Sequence, residues 1–147
     1  MLKQWLLTAA VVFSFSIASA QQEEGLIPIG ALPQPAQQFV QQYYSELAVV
    51  SVWQEADRGE RTEYTVLFDD GTEVEFRHNG QWKEIKARNG AVSDKVLPAK
   101  ISKYVKKHYP KALVKAIDKG NTKYEVDLSN GVDLEFSLKG KFLRADD

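Results

Sequence analysis

The chain has 147 residues, no cysteine and a formal net charge of −1 at pH 7. The absence of cysteine excludes a disulfide framework, a thiolate nucleophile, a lipoprotein anchor and a thiolate metal site. The near-neutral total hides an asymmetry. Residues 21–90 contain 6 Lys and Arg against 12 Asp and Glu, a net of −6, whereas residues 91–147 contain 12 against 8, a net of +4.

The first 20 residues have the pattern of a secretory signal peptide. Lys3 supplies the positive start, residues 6–17 form an apolar run, and Ala18-Ser19-Ala20 is a small-residue cleavage site. The apolar run is shorter than the roughly 20 residues that span a bilayer core, which disfavours a membrane anchor. We therefore predict an exported protein, periplasmic or secreted, with no membrane insertion once the signal is removed.

Two stretches of similar sequence, residues 64–76 and 124–136, match position for position at an offset of 60. The match extends upstream at an offset of 65, where Leu32-Pro33 corresponds to Leu97-Pro98. This pattern predicts an internal duplication, with both copies in one compact unit. The predicted organisation is a signal peptide over 1–20, a linker over 21–31, repeat 1 over 32–88, a linker over 89–96 and repeat 2 over 97–147.

Within each copy the hydrophobic pattern predicts one helix and then four strands. The first helix covers residues 35–46, with Pro35 in its first turn, and the second begins at Pro98 and ends before Pro110. The turn signals Asp70-Gly71 and Asn130-Gly131 each close a hairpin. Strands are predicted at 48–55, 61–69, 72–78 and 81–87, and again at 112–118, 123–129, 132–138 and 141–144.

Alternation along these strands predicts a buried face and an open face. The buried positions are apolar, namely Tyr64, Val66, Phe68, Val74, Phe76, Tyr124, Val126, Leu128, Val132, Leu134, Phe136 and Leu138. The alternate positions are polar and mainly acidic. We therefore predict an α+β fold of two tandem repeats, each one helix followed by an antiparallel four-stranded meander, with the helices packed on one face of the sheet.

These motifs carry a family resemblance. A Leu-Pro before an amphipathic helix, Tyr109-Pro110 after it, and the pattern Tyr-x-Val-x-Leu-x-x-Gly-x-x-Leu-x-Phe resemble the PepSY-like family of exported bacterial proteins, also called β-lactamase-inhibitor-like proteins. The resemblance covers residues 32–144, and it departs from the pattern at Tyr44-Ser45, where Tyr-Pro is expected. It implies a tandem helix-plus-meander fold like that of β-lactamase inhibitor proteins, and a periplasmic location. It implies no established activity, because one fold can serve many unrelated functions.

No constellation in the sequence indicates a reaction. The only histidines are His78 and His108, and the carboxylate pairs Glu73/Glu75 and Asp133/Glu135 have the i, i+2 spacing of any solvated strand face. We therefore predict no catalytic residues, no metal site, no cofactor and no enzymatic activity. The lysine stripe on the second helix lacks interleaved aromatic residues, so we also predict no nucleic-acid partner.

The predicted function is that of a non-catalytic binding module, in the manner of an enzyme inhibitor, which docks a protein partner through its open sheet face. One alternative is a small-ligand or cation-binding envelope protein that uses the acidic face, and another is a hydrolase that uses Glu73 and Glu75. The identity of the partner and the oligomeric state stay open. The predicted partner-binding residues, which adjoin the loop from Asp57 to Arg61, are Trp53, Leu67, Glu75, Arg77, Arg61 and Glu135.

Overall fold

The structure is a computed structural model that describes residues 24–56 and 61–147. The predicted signal peptide and most of the loop from Asp57 to Arg61 lie outside these residues. Within the two described ranges, no helix is both long and apolar enough to cross a bilayer.

The described chain contains two α-helices and nine strands. The helices are α1 (Gln34–Tyr43) and α2 (Ala99–His108), and a short 3-10 helix covers Ile29–Ala31. The strands are β1 (Gly25–Leu26), β2 (Val49–Glu55), β3 (Glu63–Phe68), β4 (Thr72–Phe76), β5 (Trp82–Ala87), β6 (Val114–Lys119), β7 (Lys123–Leu128), β8 (Asp133–Ser137) and β9 (Phe142–Asp146). The two helices and the last eight strands lie where the hydrophobic pattern predicts them, within a few residues at their ends.

The predicted fold class is wrong. The strands form one nine-stranded antiparallel sheet in which every strand pairs with its neighbours in chain order, not two repeats that each have their own four-stranded meander. Two features overturn the prediction. β5 pairs with β6 through Ile85 and Ile117, so the sheet has no boundary after its fifth strand, and β1 adds a ninth strand within the segment that we expected to be a linker.

The core lies between the sheet and the helices. Directly opposed residues form an unbroken buried aliphatic row across seven strands: Val52, Val66, Val74, Ile85, Ile117, Val126 and Leu134. Both helices pack on this face, since Phe39 of α1 contacts Phe76 edge-on at 5.6 Å and Tyr104 of α2 contacts Phe136 at 5.3 Å. The predicted buried face is therefore correct, apart from Leu138, which is 45% exposed just after β8.

Candidate functional site

The opposite side of the sheet is not covered by any described helix, and we call it the open face. One residue along from the aliphatic row, directly opposed residues form a second row across eight strands: Trp53, Thr65, Glu75, Glu84, Asp118, Glu125, Glu135 and Arg144. At about 4.8 Å per strand the row is roughly 34 Å long. Five consecutive positions, from Glu75 to Glu135, are all carboxylates, and we call these five the acidic row.

The acidic row is energetically unfavourable within the sheet. Each of its members lies directly opposite another, as Glu84 lies opposite Glu75 on one side and Asp118 on the other. Like charges at directly opposed positions destabilise a sheet, each pair by roughly 0.2–1 kcal/mol relative to neutral residues. Residues that break a local rule of stability without a structural gain are candidates for a functional role.

Near one end of the acidic row, Lys83 partly compensates the charge. Its Nζ donates hydrogen bonds to Glu63 at 2.8 Å and to Glu75 at 2.9 Å. A bulge opposite Glu75 turns Lys83 toward the open face, next to Glu84. The hydrogen bond to Glu63 raises the pKa of Lys83, whereas burial and the neighbouring Glu63 carboxylate raise the pKa of Glu75. The lysine therefore remains charged across the physiological pH range and holds two carboxylates together.

The other end has a similar arrangement around Glu135. Lys123 Nζ lies 2.6 Å from Glu135 Oε1 and 2.9 Å from Glu125 Oε1, and Arg144 lies 3.1 Å from Glu135. The hydrogen bond from Lys123 lowers the pKa of Glu135. Both ends of the acidic row are thus occupied by ion pairs of the folded protein.

At the centre of the acidic row, Asp118 lacks such an ion pair among the described residues, whereas Glu84 beside it is paired with Lys86 Nζ at 3.0 Å. Asp118 lies opposite Glu84 and Glu125, and within the described residues no lysine or arginine lies within 4 Å of its carboxylate. Burial and these two carboxylates raise the pKa of Asp118. Asp118 is therefore the member of the acidic row that no described lysine or arginine contacts directly.

An apolar corner adjoins the Glu75 end of the row. Trp53 is 44% exposed on β2 and lies directly opposite Leu26 of β1, which is 71% exposed. Leu67, half-buried on β3, belongs to the neighbouring row, opposite Ser51 and Glu73. Trp53, Leu26 and Leu67 form what we call the apolar corner. An exposed tryptophan beside an exposed leucine gives a partner an apolar anchoring point.

The two predicted arginines lie at the edge of this face. Arg77 follows β4, and its guanidinium donates hydrogen bonds to the Lys119 carbonyl and to Asn121 Oδ1, so it connects β4 to the turn after β6. Arg61 precedes β3 and lies 3.3 Å from the His78 ring. Trp53, Glu75 and Glu135 are thus brought into one row and Leu67 into the next, whereas the arginines lie outside both.

Sequence reasoning missed Glu84, Asp118 and Leu26. The alternation of β5 and β6 could have placed Glu84 and Asp118 on the open face. Their direct opposition could not be predicted, because the strands are separated in the chain by α2. Leu26 was missed because a two-residue strand leaves no periodic signal.

The open face is shallow, and its carboxylates are not grouped as metal ligands within the described chain. Within the described ranges, no group of three His, Asp or Glu side chains is arranged to hold a metal ion. A depression over β3 to β5, lined by Thr65, Glu75 and Lys86 among others, has a volume of only about 30 Å³. That is far below the 300–1,000 Å³ typical of small-molecule pockets. The arrangement suits contact with a surface rather than enclosure of a substrate.

Comparison with protein families finds one match. A family model described as "putative beta-lactamase-inhibitor-like, PepSY-like" matches residues 62–144. No curated protein sequence matches the chain.

Two solved structures share the fold over nearly their whole length. One is described as "a putative calcium-regulated periplasmic protein" of Bacteroides thetaiotaomicron. It is 36% identical with a TM-score of 0.80, and the match covers 84% of this chain and 97% of that chain. The other, "a putative periplasmic protein" of Bacteroides vulgatus, is 31% identical with a TM-score of 0.78, and the match covers 86% and 99%. Both relatives are named as periplasmic, and neither name states an enzymatic activity.

Proposed function

The chain belongs to the PepSY-like, β-lactamase-inhibitor-like family, and on that premise we propose that it is an exported, non-catalytic binding module that docks a basic protein partner on its open face. The observation that carries this proposal is the acidic row, whose five carboxylates lie directly opposite one another on neighbouring strands. A partner that presents lysine or arginine beside Asp118, the member without an ion pair in the described chain, relieves the repulsion that remains.

Charge and shape both favour a protein surface as the occupant. A single-sign potential on an open face steers a partner of opposite charge and raises its association rate. The apolar corner then supplies the desolvated aromatic contact that dominates many interfaces. An open sheet face roughly 34 Å long, without a deep pocket among its described residues, matches a folded partner better than a small molecule.

The partner of such a module is in one case an enzyme that the module inhibits. The name of the family likens its members to enzyme inhibitors, and a protein that occludes a basic surface of an enzyme would act in that way. Inhibition of a captured enzyme is therefore a second readout, which follows only after the partner is identified.

Site-specific crosslinking tests which face binds the partner. The photoreactive residue p-benzoylphenylalanine replaces Trp53 in one bait and Gln41, which is exposed on the helix side, in a matched bait. With periplasmic extract, we expect a crosslinked partner from position 53 only. The adduct should weaken as salt is raised, because exposed charge pairs are screened within about 10 Å at 0.1 M ionic strength.

Charge-neutralising variants then test the acidic row. The double variant Glu84→Gln/Asp118→Asn should lower the yield of the adduct at least several-fold, whereas Glu46→Gln, which removes an exposed carboxylate after α1, should not. Trp53→Ala should release the captured partner in a pull-down, whereas Leu138→Ala, at another exposed apolar side chain, should retain it. Equal crosslinking from position 41, or an adduct indifferent to the double variant, contradicts the proposal.

Cation binding by the acidic face is the second candidate. The relative from B. thetaiotaomicron is named as calcium-regulated, and no lysine or arginine of the described chain lies within 4 Å of the Asp118 carboxylate. The absence of a three-ligand group in the same residues argues against a tight site. Two measurements separate the two functions: the yield of the crosslinked adduct with and without added calcium, and the melting temperature of the protein as calcium is titrated. A saturable calcium-induced rise in melting temperature without any protein adduct favours cation binding.

A further inference from the structure

A larger cavity lies on the helix side of the sheet, opposite the open face, beside the C-terminal half of α2. It has a volume of about 390 Å³, which is within the range of small-molecule sites. Its floor is apolar, formed by Val92, Leu97 and Val105, which are buried, and by Tyr109 and Leu113 at the rim. We call it the α2 cleft.

The walls of the α2 cleft are held by hydrogen bonds of the fold. The backbone of Val92 donates to the Val114 carbonyl at 2.8 Å, which joins the segment before α2 to β6. On the other wall, Leu113 N–H donates to Ser129 Oγ at 2.9 Å. The cleft is therefore a preformed feature between three fixed segments.

One end of the cleft is polar. Asp94 accepts a hydrogen bond from the buried Ser102 hydroxyl at 3.1 Å, and Lys106 Nζ lies 2.7 Å from its other carboxylate oxygen. The hydrogen bond from Lys106 lowers the pKa of Asp94. This triad leaves the carboxylate fully paired at the mouth of the cleft.

Beyond the triad, the mouth opens onto a groove that carries three more exposed lysines, Lys95, Lys103 and Lys107. Within the described residues no carboxylate lies within 4 Å of any of the three. Lys107 is in the last turn of α2, where a cation complements the helix dipole. Lys95 and Lys103 have no such interaction with the end of the helix. Because none of the three lysines has a carboxylate nearby in the described chain, the groove has an excess of positive charge.

From this juxtaposition we propose that the α2 cleft binds an amphiphile with one anionic head group and a short apolar tail. The tail fills the apolar cavity, and the head group lies over Lys95 and Lys103 at its mouth. Apolar surface supplies the affinity and the lysines supply the preference for negative charge. The site is independent of the proposed partner-binding face.

Octanoate is the probe, with two comparators that each lack one half of its chemistry. Octanol has the tail without the charge, and acetate has the charge without the tail. We expect octanoate, and neither comparator at equal concentration, to raise the melting temperature saturably. It should also shift the amide NMR signals of residues 92, 105 and 113. No binding of octanoate, or equal binding of octanol, overturns the proposal.

Substitutions in the α2 cleft test whether octanoate binds there. Ala91→Trp introduces a large side chain at the exposed wall of the cleft and should abolish octanoate binding. Leu113→Trp serves the same purpose if the first variant does not fold. Lys103→Gln should weaken binding about threefold to fivefold, the effect of losing one exposed ion pair. Lys139→Gln, the same change in the turn before β9, should have no effect. Unchanged binding in the tryptophan variants overturns the assignment to this cleft.

Discussion

At the scale of single residues, Tyr44 departs from the rule that buried polar atoms form hydrogen bonds. Its ring stacks on Phe68 with centroids 4.8 Å apart, and its hydroxyl is buried without a hydrogen-bond partner among the described residues. Burial, with a smaller effect from the nearby Asp70 carboxylate, raises the pKa of Tyr44 to about 12. An unpaired buried hydroxyl costs roughly 1–3 kcal/mol of stability.

We therefore expect Tyr44→Phe to raise the free energy of unfolding by about 1 kcal/mol at pH 7, as measured by urea denaturation. Because the folded-state pKa is raised above that of the unfolded chain, the wild type should lose stability as the pH rises from about 10 toward 12. The variant should lack the part of this loss that Tyr44 causes, while Tyr104 and Tyr124, whose pKa values burial also raises, keep their share. Tyr109→Phe, at a half-buried tyrosine after α2, is the control and should change stability little. A destabilised Tyr44→Phe variant would indicate a bonded hydroxyl.

At the scale of elements, a hairpin turn is packed against the start of a helix. Gly80, in the turn between β4 and β5, has a φ of +81°, and a Cβ built on it would lie 3.0 Å from Ala36 N and from the ring of Pro35. Gly131, in the turn between β7 and β8, has a similar φ of +86° but faces open space. A comparison of the two positions therefore separates the cost of backbone strain, which both share, from the cost of close packing, which only Gly80 has.

Replacement of each glycine by alanine tests this contact. Gly131→Ala should cost about 1–2 kcal/mol, the strain of a left-handed conformation in an L-residue. Gly80→Ala should cost about 1–3 kcal/mol more, because the helix start must also move away. Chemical denaturation of both variants measures the difference. Equal losses would show that α1 and the turn are not tightly packed.

The sequence predicted the elements better than their arrangement. Helical spacing and strand alternation located α1, α2 and β2 to β9, because both periods are local properties of ten or fewer residues. Of the six predicted partner-binding residues, three lie in the row that crosses the sheet. Arg77 was placed on the binding face by alternation alone, yet its long side chain turns aside to a backbone carbonyl near Asn121.

At the scale of the whole molecule, the joint between β5 and β6 makes one sheet of nine strands. Only three opposed pairs form it, centred on Ile85 and Ile117, both fully buried. The hydrophobic core extends across this joint without interruption. The two sides of the molecule are thus coupled through shared apolar surface, not only through the chain.

We therefore expect Ile117→Ala to destabilise the whole molecule by about 2–5 kcal/mol, the usual cost of a large-to-small core substitution. Amide signals from β2 to β4 and from β7 to β9 should disappear at the same denaturant concentration, both in the variant and in the wild type. Leu143→Ala, on the exposed part of the edge strand β9, should cost less than about 1 kcal/mol. Separate midpoints for the two groups of strands would contradict a single cooperative unit.

The local pattern of residues was sufficient to assign each strand an inner and an outer side, because side chains alternate with a period of two whatever the neighbouring strand is. It was also sufficient to suggest the family. Which residues stand opposite one another was decided only by the tertiary structure. The register across β5 and β6 joins two strands that α2 separates in the chain, and the predicted internal duplication contains no information about that joint. The acidic row, in which Asp118 has no ion pair among the described residues, exists only because the two strands meet in this register.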